Sequence, residues 1–351
     1  MTTEPKRLAY FEEWMDPAGP EIAAKIPGIE LMRLEQDSDA DAVWEALSGA
    51  HGYQMRASTE TQKQFWPDKS FLARCPNLLA VSSAGAGFDM ADIDACTEAG
   101  ILVVSQSGSN AESVAQHVFG MMLALCKQMI QSDRAIRREK RGWTRWDYMG
   151  HELTGRSIGI VGLGNIGRRV AEISKAFNMR PFAYDPYLTD ADFQERGAER
   201  VRSLEELFAE VDFISINCPL THETRGMINA DLYARMKPSS IFITTARGYI
   251  HDEAALTAAI SEGRIAAAGC DVFELEPPAH DHPLMAFDNV IVSPHNAGIT
   301  SDASYNMGTY AAEQWGDIFA GKYPPRLKNP KAWDHYRERY TAMFGTEPAA
   351  A

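Results

Sequence analysis

The stretch "SIGIVGLGNIGRR", residues 157–169, places a short apolar run directly before a glycine-rich turn and the start of a helical pattern. Gly162, Gly164 and Gly167 form the pattern Gly-x-Gly-x-x-Gly. The first glycine makes a tight turn, the second lets the backbone approach a pyrophosphate, and the third lets helix pack on strand. The start of the helix also presents N–H groups and a positive dipole end to phosphates. The stretch therefore predicts a dinucleotide-binding unit.

The next apolar run, "PFAY" at residues 181–184, is followed by an acidic residue, Asp185. It lies 185 − 167 = 18 residues beyond the last glycine, close to the separation of about 20 typical of the acid that binds the adenosine ribose. Its charge would repel the 2′-phosphate of NADP, and neither Pro186 nor Tyr187 adds a positive charge. We therefore expect NAD. The alternative, glycines and an acid that serve only a packed turn, is disfavoured because strand, turn, helix and acid occur in one unit.

Short apolar runs alternate with amphipathic helical patterns from Arg156 onward. The runs are "SIGIVG", "PFAY", "VDFISI", "SIFITT", "IAAAGCDV" and "NVIVS". The segments between them, such as "SLEELFAE" and "DEAALTAAISEG", have the helical spacing of apolar residues. Because strands that are apolar on both faces occur in parallel sheets covered by helices, this part of the chain predicts a doubly wound α/β domain of Rossmann type.

The first hundred residues show the same alternation more weakly. "GYQMR", "LLAVSS" and "ILVVS" are typical of strands, whereas "DAVWEAL" and "MADIDACTEAG" are typical of helices, and they predict a smaller, flavodoxin-like doubly wound domain. A long helix from about Asn110 to Gln131 would lead out of this domain, and the helix after Thr300 would return to it. We expect a cofactor domain at residues 110–299, inserted into a substrate domain formed by residues 1–109 and 300–351.

Composition and charge disfavour several classes of partner. The formal charge of 34 − 48 = −14 repels phosphate backbones and anionic lipids. The stretch from Val114 to Met129 is too short for a bilayer of about 30 Å and contains polar residues, so it predicts a buried helix. The five cysteines form no CxxC pair, their odd count fits reduced thiols, and the first residues lack the apolar region of a signal peptide. We expect a cytoplasmic protein without nucleic-acid or membrane partners.

Three stretches near the predicted carboxyl ends of strands carry polar residues: "TTARG" with Arg247, "DVFELEP" with Glu276, and "SPHNAG" with His295. Ligands of open α/β sheets bind at this edge, so the three side chains can converge although they are far apart in sequence. Each residue alone would more often be structural: a buried histidine, the partner of a carboxylate, or a helix cap. Their joint occurrence with a nucleotide loop favours a catalytic site.

These motifs resemble the D-isomer-specific 2-hydroxyacid dehydrogenase family over roughly residues 50–322. Matching stretches include "GAGFDMADIDACTEAGI", "NAESVAQHVFGMMLAL", "TGRSIGIVGLGNIGRRVA", "CPLTHETRGMI", "DEAALTAAISEGRIAAAGCDVFELEP" and "DHPLMAFDNVIVSPHNAG". The resemblance implies the interrupted two-domain fold and hydride transfer between NAD and a small 2-hydroxy or 2-keto acid in an interdomain cleft. It makes His295 the acid/base, Glu276 its carboxylate partner and Arg247 the substrate-binding cation. Histidine exchanges protons near neutral pH, and arginine presents a planar fork to a carboxylate, so the chemistry agrees.

The resemblance also implies contacts to substrate and cofactor. The N–H groups of Ala86 and Gly87 would bind the substrate carboxylate, although a glycine turn needed only for its backbone geometry explains the same residues. Arg56 would face the distal end of the substrate or, alternatively, be a solvated arginine. Glu274 is expected at the surface. The implied cofactor-binding residues are Gly162, Gly164, Asn165, Ile166, Gly167, Asp185, Cys218, Pro219, Thr224, Thr245, Ala246, Asp271 and Gly298.

Other functions remain as alternatives. A specialised relative that acts on formate or phosphite is one, but formate dehydrogenases of this family have Gln at the position of Glu276. A corepressor-like protein that binds NADH as a sensor is another. "GWTRWDY", with Trp143 and Trp146, predicts an exposed arm in a homodimer, or alternatively an ordinary apolar cluster. The "AHDHPL" segment has two histidines and an aspartate but no further ligands nearby in sequence, so we expect no metal.

Overall fold

The computed structural model describes residues 4–138 and 142–348. The chain divides into two compact units: the first comprises Met1–Asn110 and Ile299–Ala351, and the second comprises Ala111–Gly298. Each unit contains one sheet in which every pair of neighbouring strands is parallel. Two doubly wound α/β folds result, so the predicted fold class is confirmed.

The strands are numbered in chain order. They are β1 (Lys6–Phe11), β2 (Ile29–Leu34), β3 (Gly52–Gln54), β4 (Ala80–Ser82), β5 (Leu102–Val104), β6 (Ser157–Val161), β7 (Arg180–Tyr184), β8 (Glu199–Arg200), β9 (Phe213–Ile216), β10 (Ile241–Thr244), β11 (Ala267–Cys270) and β12 (Val290–Val292). The sheet of the first unit has the order β2-β1-β3-β4-β5, and that of the second has the order β12-β11-β10-β9-β6-β7-β8.

The α-helices follow the same numbering. They are α1 (Ala18–Ala23), α2 (Ala40–Ser48), α3 (Lys69–Arg74), α4 (Ile93–Glu98), α5 (Ala111–Cys126), α6 (Met129–Arg138), α7 (Asn165–Ala176), α8 (Asp190–Arg196), α9 (Leu204–Glu210), α10 (Ala230–Arg235), α11 (Glu253–Ser261), α12 (Ser301–Phe319) and α13 (Trp333–Phe344). Short 3₁₀ turns lie at Lys63–Phe65, Gly248–Ile250, Pro283–Ala286 and Pro330–Ala332. In the described residues, no helix is both long and apolar enough to cross a membrane.

The second unit is apolar on both faces of its sheet. Ile241 and Ile243 of β10 pack in the cluster that includes residues of α5 and α7, whereas Phe242 packs with residues of α9, α10 and α11. All four residues of β10 are buried, as expected for a strand covered on both faces. The sheet therefore forms a rigid layer whose carboxyl edge can carry a site.

The first unit is covered on both faces in the same way. Val81 of β4 packs in the cluster that includes residues of α2, α3 and α4, and its neighbour Ala80 packs with residues of α12 and α13. Trp315 of α12 is fully buried, and its indole N–H donates to the Gln54 side chain at 2.9 Å. The segment after the second unit therefore completes the core of the first.

The predicted long helix from Asn110 to Gln131 is wrong in its second half. The helix ends at Cys126, and a new one begins at Met129. Gln128 between them has a φ of 50°, a left-handed conformation that interrupts a right-handed helix. Sequence reasoning also missed β1 and β2, each of which has two charged residues among its six.

His251 is the one histidine of the described chain that the core almost completely encloses. His251 is 2% exposed, and neither of its ring nitrogens has a hydrogen-bond partner among the described residues. Its ring lies 5.7 Å from that of Phe242. Burial lowers the pKa of His251 from 6.5 to about 4, against a smaller opposing effect of Asp252. The folded protein therefore contains this imidazole in its neutral form.

We expect His251→Leu to make the protein more resistant to acid. As pH falls below about 6.5, the unfolded chain protonates this histidine, while the folded chain does so only near pH 4. The free energy of unfolding therefore falls across that window, by at most about 3 kcal/mol, and leucine removes this loss. Denaturant titrations at several pH values measure it, with the exposed His335→Leu as control. A stability difference between wild type and His251→Leu that stays constant with pH would contradict this account.

Candidate active site

Six neighbouring strands of the second unit end in one row. The register pairs their last residues across the sheet: Tyr184, Val161, Ile216, Thr244, Cys270 and Val292. The strand order reverses at β6, because β7 lies on one side of it and β9 on the other. Ligands of open α/β sheets bind at the carboxyl edge beside such a reversal. The residues that follow these six strand ends therefore define the candidate site.

The glycine loop, residues 162–167, follows β6 and leads into α7. Gly162 has a φ of 87°, and a Cβ on it would lie 2.9 Å from the backbone of Cys218. A Cβ on Gly167 would lie 2.1 Å from the Gly162 carbonyl oxygen. A Cβ on Gly164 would meet no heavy atom within 4 Å. Gly162 and Gly167 thus permit close backbone packing, whereas Gly164 leaves open space beside the start of the helix, which fits a pyrophosphate.

Asp185 follows β7 and contacts this loop directly. One carboxylate oxygen accepts a hydrogen bond from the N–H of Leu163 at 3.0 Å, and the other accepts from the N–H of Tyr187 at 3.1 Å. The carbonyl oxygen of Leu163 in turn accepts from the Arg196 guanidinium at 2.8 Å. The aspartate therefore also orients the loop, and a cation that sequence reasoning missed lies on the other side of Leu163.

The other predicted cofactor residues follow the adjacent strands. Cys218 and Pro219 come after β9, where the Thr224 hydroxyl donates to the Pro219 carbonyl oxygen at 2.7 Å. Thr245 and Ala246 come directly after β10. Asn165 and Ile166 begin α7, and Gly298 ends the second unit. The structure thus places these residues at the carboxyl edge of one sheet or in the segments that leave it.

His295 and Glu276 form a hydrogen-bonded pair. The Nδ1 atom of His295 lies 2.7 Å from the Oε2 atom of Glu276, and both side chains are partly buried. Burial by itself raises the pKa of Glu276, but the hydrogen bond and charge of His295, the N–H of Phe273 and the charge of Arg247 together lower it below its ordinary value. The carboxylate is therefore ionised and accepts a hydrogen bond from the Nδ1–H group. The Nε2 atom remains to exchange a proton with a ligand.

Asp271 binds the histidine loop, residues 293–297. Its carboxylate is completely buried and accepts from the Ser293 hydroxyl at 2.5 Å and from the N–H groups of Asn296 and Ala297 at 2.9 Å. Within this loop His295 has a φ of 53°, which a non-glycine residue adopts only when its surroundings impose it. Asp271, predicted as a cofactor contact, thus stabilises the loop that positions His295.

His117 of α5 belongs to the same cluster, and the sequence pattern did not reveal it. Its Nε2 atom lies 3.1 Å from the Ser293 hydroxyl oxygen and 3.8 Å from an Asp271 oxygen. Because the Ser293 hydroxyl donates to Asp271, the imidazole nitrogen acts as the donor to Ser293. One sequence signal was present: His117 is a polar residue in the interior of a mostly apolar helix.

Arg247 follows β10 and donates from its Nη1 atom to the Ala246 carbonyl oxygen at 2.7 Å. The next residue, Gly248, packs directly on the backbone after β11, because a Cβ on it would lie 1.9 Å from the Phe273 carbonyl group. The arginine segment, residues 245–248, therefore contacts the glutamate loop, residues 271–277, through main-chain atoms. The Arg247 charge also contributes to the lowered pKa of Glu276. All three predicted catalytic residues thus belong to one connected group in the second unit.

Glu274 differs from the expectation of a solvated surface acid. It is partly buried, its N–H donates to the Glu253 carboxylate at 2.6 Å, and its own carboxylate accepts from the Glu253 N–H at 3.3 Å. The other oxygen of Glu253 lies 3.2 Å from Nε2 of His282. These contacts join the glutamate loop to the start of α11, which the sequence pattern did not indicate. Among the described residues, no group of three or more His, Cys, Asp and Glu side chains is arranged to bind a metal.

The predicted substrate residues of the first unit lie after β3 and β4. Ala86 and Gly87 are partly exposed, and no hydrogen bond within the described chain engages their N–H groups. Arg56 is not a solvated arginine: its guanidinium contacts the Glu12 carboxylate at 2.6 Å and that of Glu60 at 2.9 Å. Glu12 follows β1, so this ion pair lies where the strand order of the first sheet reverses.

Comparisons with known proteins point to one family. The family described as D-isomer specific 2-hydroxyacid dehydrogenase, NAD binding domain, matches residues 119–297. The D-3-phosphoglycerate dehydrogenase of Mycobacterium bovis is 37% identical over 314 residues, which cover 90% of this chain and 58% of that protein. The glyoxylate reductase of Aeropyrum pernix is 40% identical over 267 residues, which cover 75% of this chain and 79% of that protein.

A solved structure gives the same result. The D-lactate dehydrogenase of Aquifex aeolicus, crystallised with NAD and lactic acid, superposes with a TM-score of 0.78 at 26% identity, covering 92% of this chain and 99% of that one. The chain spans a little over half, 58%, of the length of the phosphoglycerate dehydrogenases of Mycobacterium bovis and Mycobacterium tuberculosis that it matches. Fold and family are therefore shared along nearly the whole chain, whereas the named activities belong to those relatives.

Proposed function

We propose, since the chain belongs to the D-isomer-specific 2-hydroxyacid dehydrogenase family, that it is an oxidoreductase that transfers hydride between NAD and the α-carbon of a small D-2-hydroxy acid or 2-keto acid. The observation that carries the proposal is the 2.7 Å contact between His295 and Glu276 in the unit that contains the glycine loop. A histidine oriented by a carboxylate beside a nucleotide loop is the arrangement that proton-coupled hydride transfer requires.

In the proposed mechanism, bound NAD would accept the hydride when a hydroxy acid is oxidised, and bound NADH would donate it when a keto acid is reduced. Glu276 accepts a hydrogen bond from the Nδ1–H of His295 and fixes the imidazole tautomer, so that the Nε2 atom gives or takes the proton of the substrate oxygen. Ionised Glu276 also stabilises the imidazolium that forms when the hydroxy acid is oxidised. In keto-acid reduction the same proton moves from Nε2 to the developing alkoxide.

Substrate binding is assigned to Arg247, Ala86 and Gly87. The guanidinium of Arg247 would bind the carboxylate and carbonyl oxygens of the substrate and stabilise negative charge as it develops. The N–H groups of Ala86 and Gly87, which no described residue engages, would donate to the substrate carboxylate. Arg56 is a specificity residue only for substrates with a second anion, because such an anion must replace Glu12 or Glu60.

We expect His295→Asn to lower turnover of a 2-keto acid by about 10²- to 10⁴-fold and to leave the Kd for NADH nearly unchanged. Asparagine tolerates the left-handed backbone at this position, so the variant removes the proton donor without refolding the loop. NADH oxidation with glyoxylate, hydroxypyruvate, pyruvate and phenylpyruvate measures the activity, with His335→Asn as control. Undiminished turnover would remove His295 from the mechanism. Tight NADH binding by the wild type without turnover of any keto acid would favour an NADH sensor instead.

We expect Asp185→Asn to raise the ratio of kcat/KM for NADPH to that for NADH by about tenfold. The amide oxygen can still accept from Leu163, but the charge that repels a 2′-phosphate is gone and the Arg196 guanidinium remains beside Leu163. Asp185→Ala should in addition lower kcat/KM for NADH, because the Leu163 N–H loses its hydrogen-bond acceptor. A ratio that stays at the wild-type value in both variants would show that Asp185 does not contact the ribose.

We also propose that the protein is a homodimer. The exposed apolar side chains of the second unit include a group between residues 129 and 149: Met129, Ile136, Trp143, Trp146 and Met149, of which Trp146 and Met149 are each 67% exposed. Several exposed apolar side chains in one segment of the chain are typical of a subunit interface. Light scattering should give about twice the chain mass of 38.9 kDa, and Trp146→Glu should shift the protein to monomer. A wild-type monomer at micromolar concentration would exclude the dimer.

The proposed location is the cytoplasm. All five cysteines are free thiols, which is typical of a reducing compartment. Recovery of the protein with a membrane or secreted fraction after cell fractionation would contradict this assignment.

A further inference from the structure

We propose that Glu253 and His282 form a second histidine–glutamate pair that positions Glu276, and through it His295, for the reaction. The inference rests on the proposed function for its kinetic consequence, but its structural consequence does not depend on any substrate. Neither residue is a catalytic residue: both act through the glutamate loop, residues 271–277. No sequence motif indicates that the two residues pair, because they lie 29 residues apart in sequence.

The Glu253 carboxylate uses both oxygens to join separate segments. One accepts from the N–H of Glu274 at 2.6 Å, and the other lies 3.2 Å from Nε2 of His282. The side chain of Glu253 is only 13% exposed, and that of His282 is 15% exposed. A carboxylate with so little access to water needs such donors, because burial without them would be unfavourable. The contact therefore binds the glutamate loop to the first residue of α11.

His282 is held in one tautomer by a second hydrogen bond. Its Nδ1 atom accepts from the N–H of Leu284 at 3.3 Å, at the start of a 3₁₀ turn. An Nδ1 that accepts carries no proton, so the proton of the neutral ring is on Nε2, which faces Glu253. The ring edge also packs against Phe273, with 5.2 Å between the ring centres. Backbone, tautomer and aromatic contact thus all direct this donor to the Glu253 carboxylate.

The connection to Glu276 runs through the two adjacent peptides on either side of the Phe273 Cα atom. The N–H of Phe273 donates to Oε1 of Glu276 at 3.0 Å, while Oε2 of the same carboxylate contacts His295. Glu253 binds the N–H of the next residue, Glu274. On its other side, the Phe273 carbonyl group packs against Gly248, which follows Arg247. A shift of the 273–274 peptide would therefore displace the Glu276 carboxylate from His295 and the arginine segment from its support.

The experiment compares variants of the full-length protein. We expect Glu253→Ala to lower kcat by about tenfold, because small displacements of a reacting pair are costly, and to leave the Kd for NADH within about twofold. His282→Asn is a milder variant. The amide oxygen of asparagine can still accept from the Leu284 N–H, but the side chain cannot reach Glu253. We expect kcat to fall about threefold. The control is Glu262→Ala, at the other end of α11, where the exposed Glu262 pairs only with Arg264 among the described residues.

A Glu276→Gln background separates positioning from general destabilisation. If Glu253 acts through Glu276, then adding Glu253→Ala to Glu276→Gln should change kcat by less than about twofold. The same tenfold loss in both backgrounds, or wild-type kcat in the single variant, would overturn the proposal.

Amide hydrogen exchange gives a readout that needs no substrate. We expect Glu253→Ala and His282→Asn to speed exchange at Phe273 and Glu274, whereas Glu262→Ala should not. If the wild type reduces no 2-keto acid, the proposed function fails while this measurement still decides the inference. Unchanged exchange at both amides in the two variants would overturn it, whatever the activity of the wild type.

Discussion

The candidate site depends first on one buried carboxylate. Asp271 has no exposed surface, yet it accepts three hydrogen bonds from the histidine loop. The N–H of His295 also donates to the main-chain carbonyl oxygen of Asp271 at 2.8 Å. These bonds stabilise the left-handed backbone of His295, which is otherwise unfavourable. Removal of the carboxylate would leave the N–H groups of the histidine loop without acceptors. The same bonds therefore determine both the folding of the loop and the orientation of the imidazole.

The acids of "DVFELEP" are explained by their separate partners. Asp271 binds the N–H groups of the histidine loop, Glu274 exchanges hydrogen bonds with Glu253, and Glu276 contacts His295. Like charges this close in sequence would repel one another if they shared an environment. Distribution among three sets of donors reduces that cost and joins β11 to the segments on either side. Charge in this stretch therefore organises the edge of the sheet.

The sequence predicted the parts of the fold that follow from local patterns and missed those that follow from long-range contacts. The glycine loop, the apolar strands after Arg156 and the family resemblance are confirmed, because strand periodicity and turn chemistry are local. The left-handed Gln128 between α5 and α6, the partners of Glu274 and the ion pair of Arg56 were not predicted. They depend on which segments the fold brings together. The Arg196 contact to Leu163 belongs to the same class, since 33 residues separate its partners.

Two glycines show why this edge tolerates little change in its main chain. Gly167 lies against the Gly162 carbonyl, and Gly248 lies against that of Phe273, at distances where no Cβ fits. The first contact sets how close α7 approaches the glycine loop, and the second sets how close the arginine segment approaches the glutamate loop. Main-chain packing of this kind fixes positions more rigidly than side-chain packing, because a peptide cannot change rotamer. The glycine loop and the segments that carry Arg247 and Glu276 are therefore both fixed by main-chain contacts at the carboxyl edge of the same sheet.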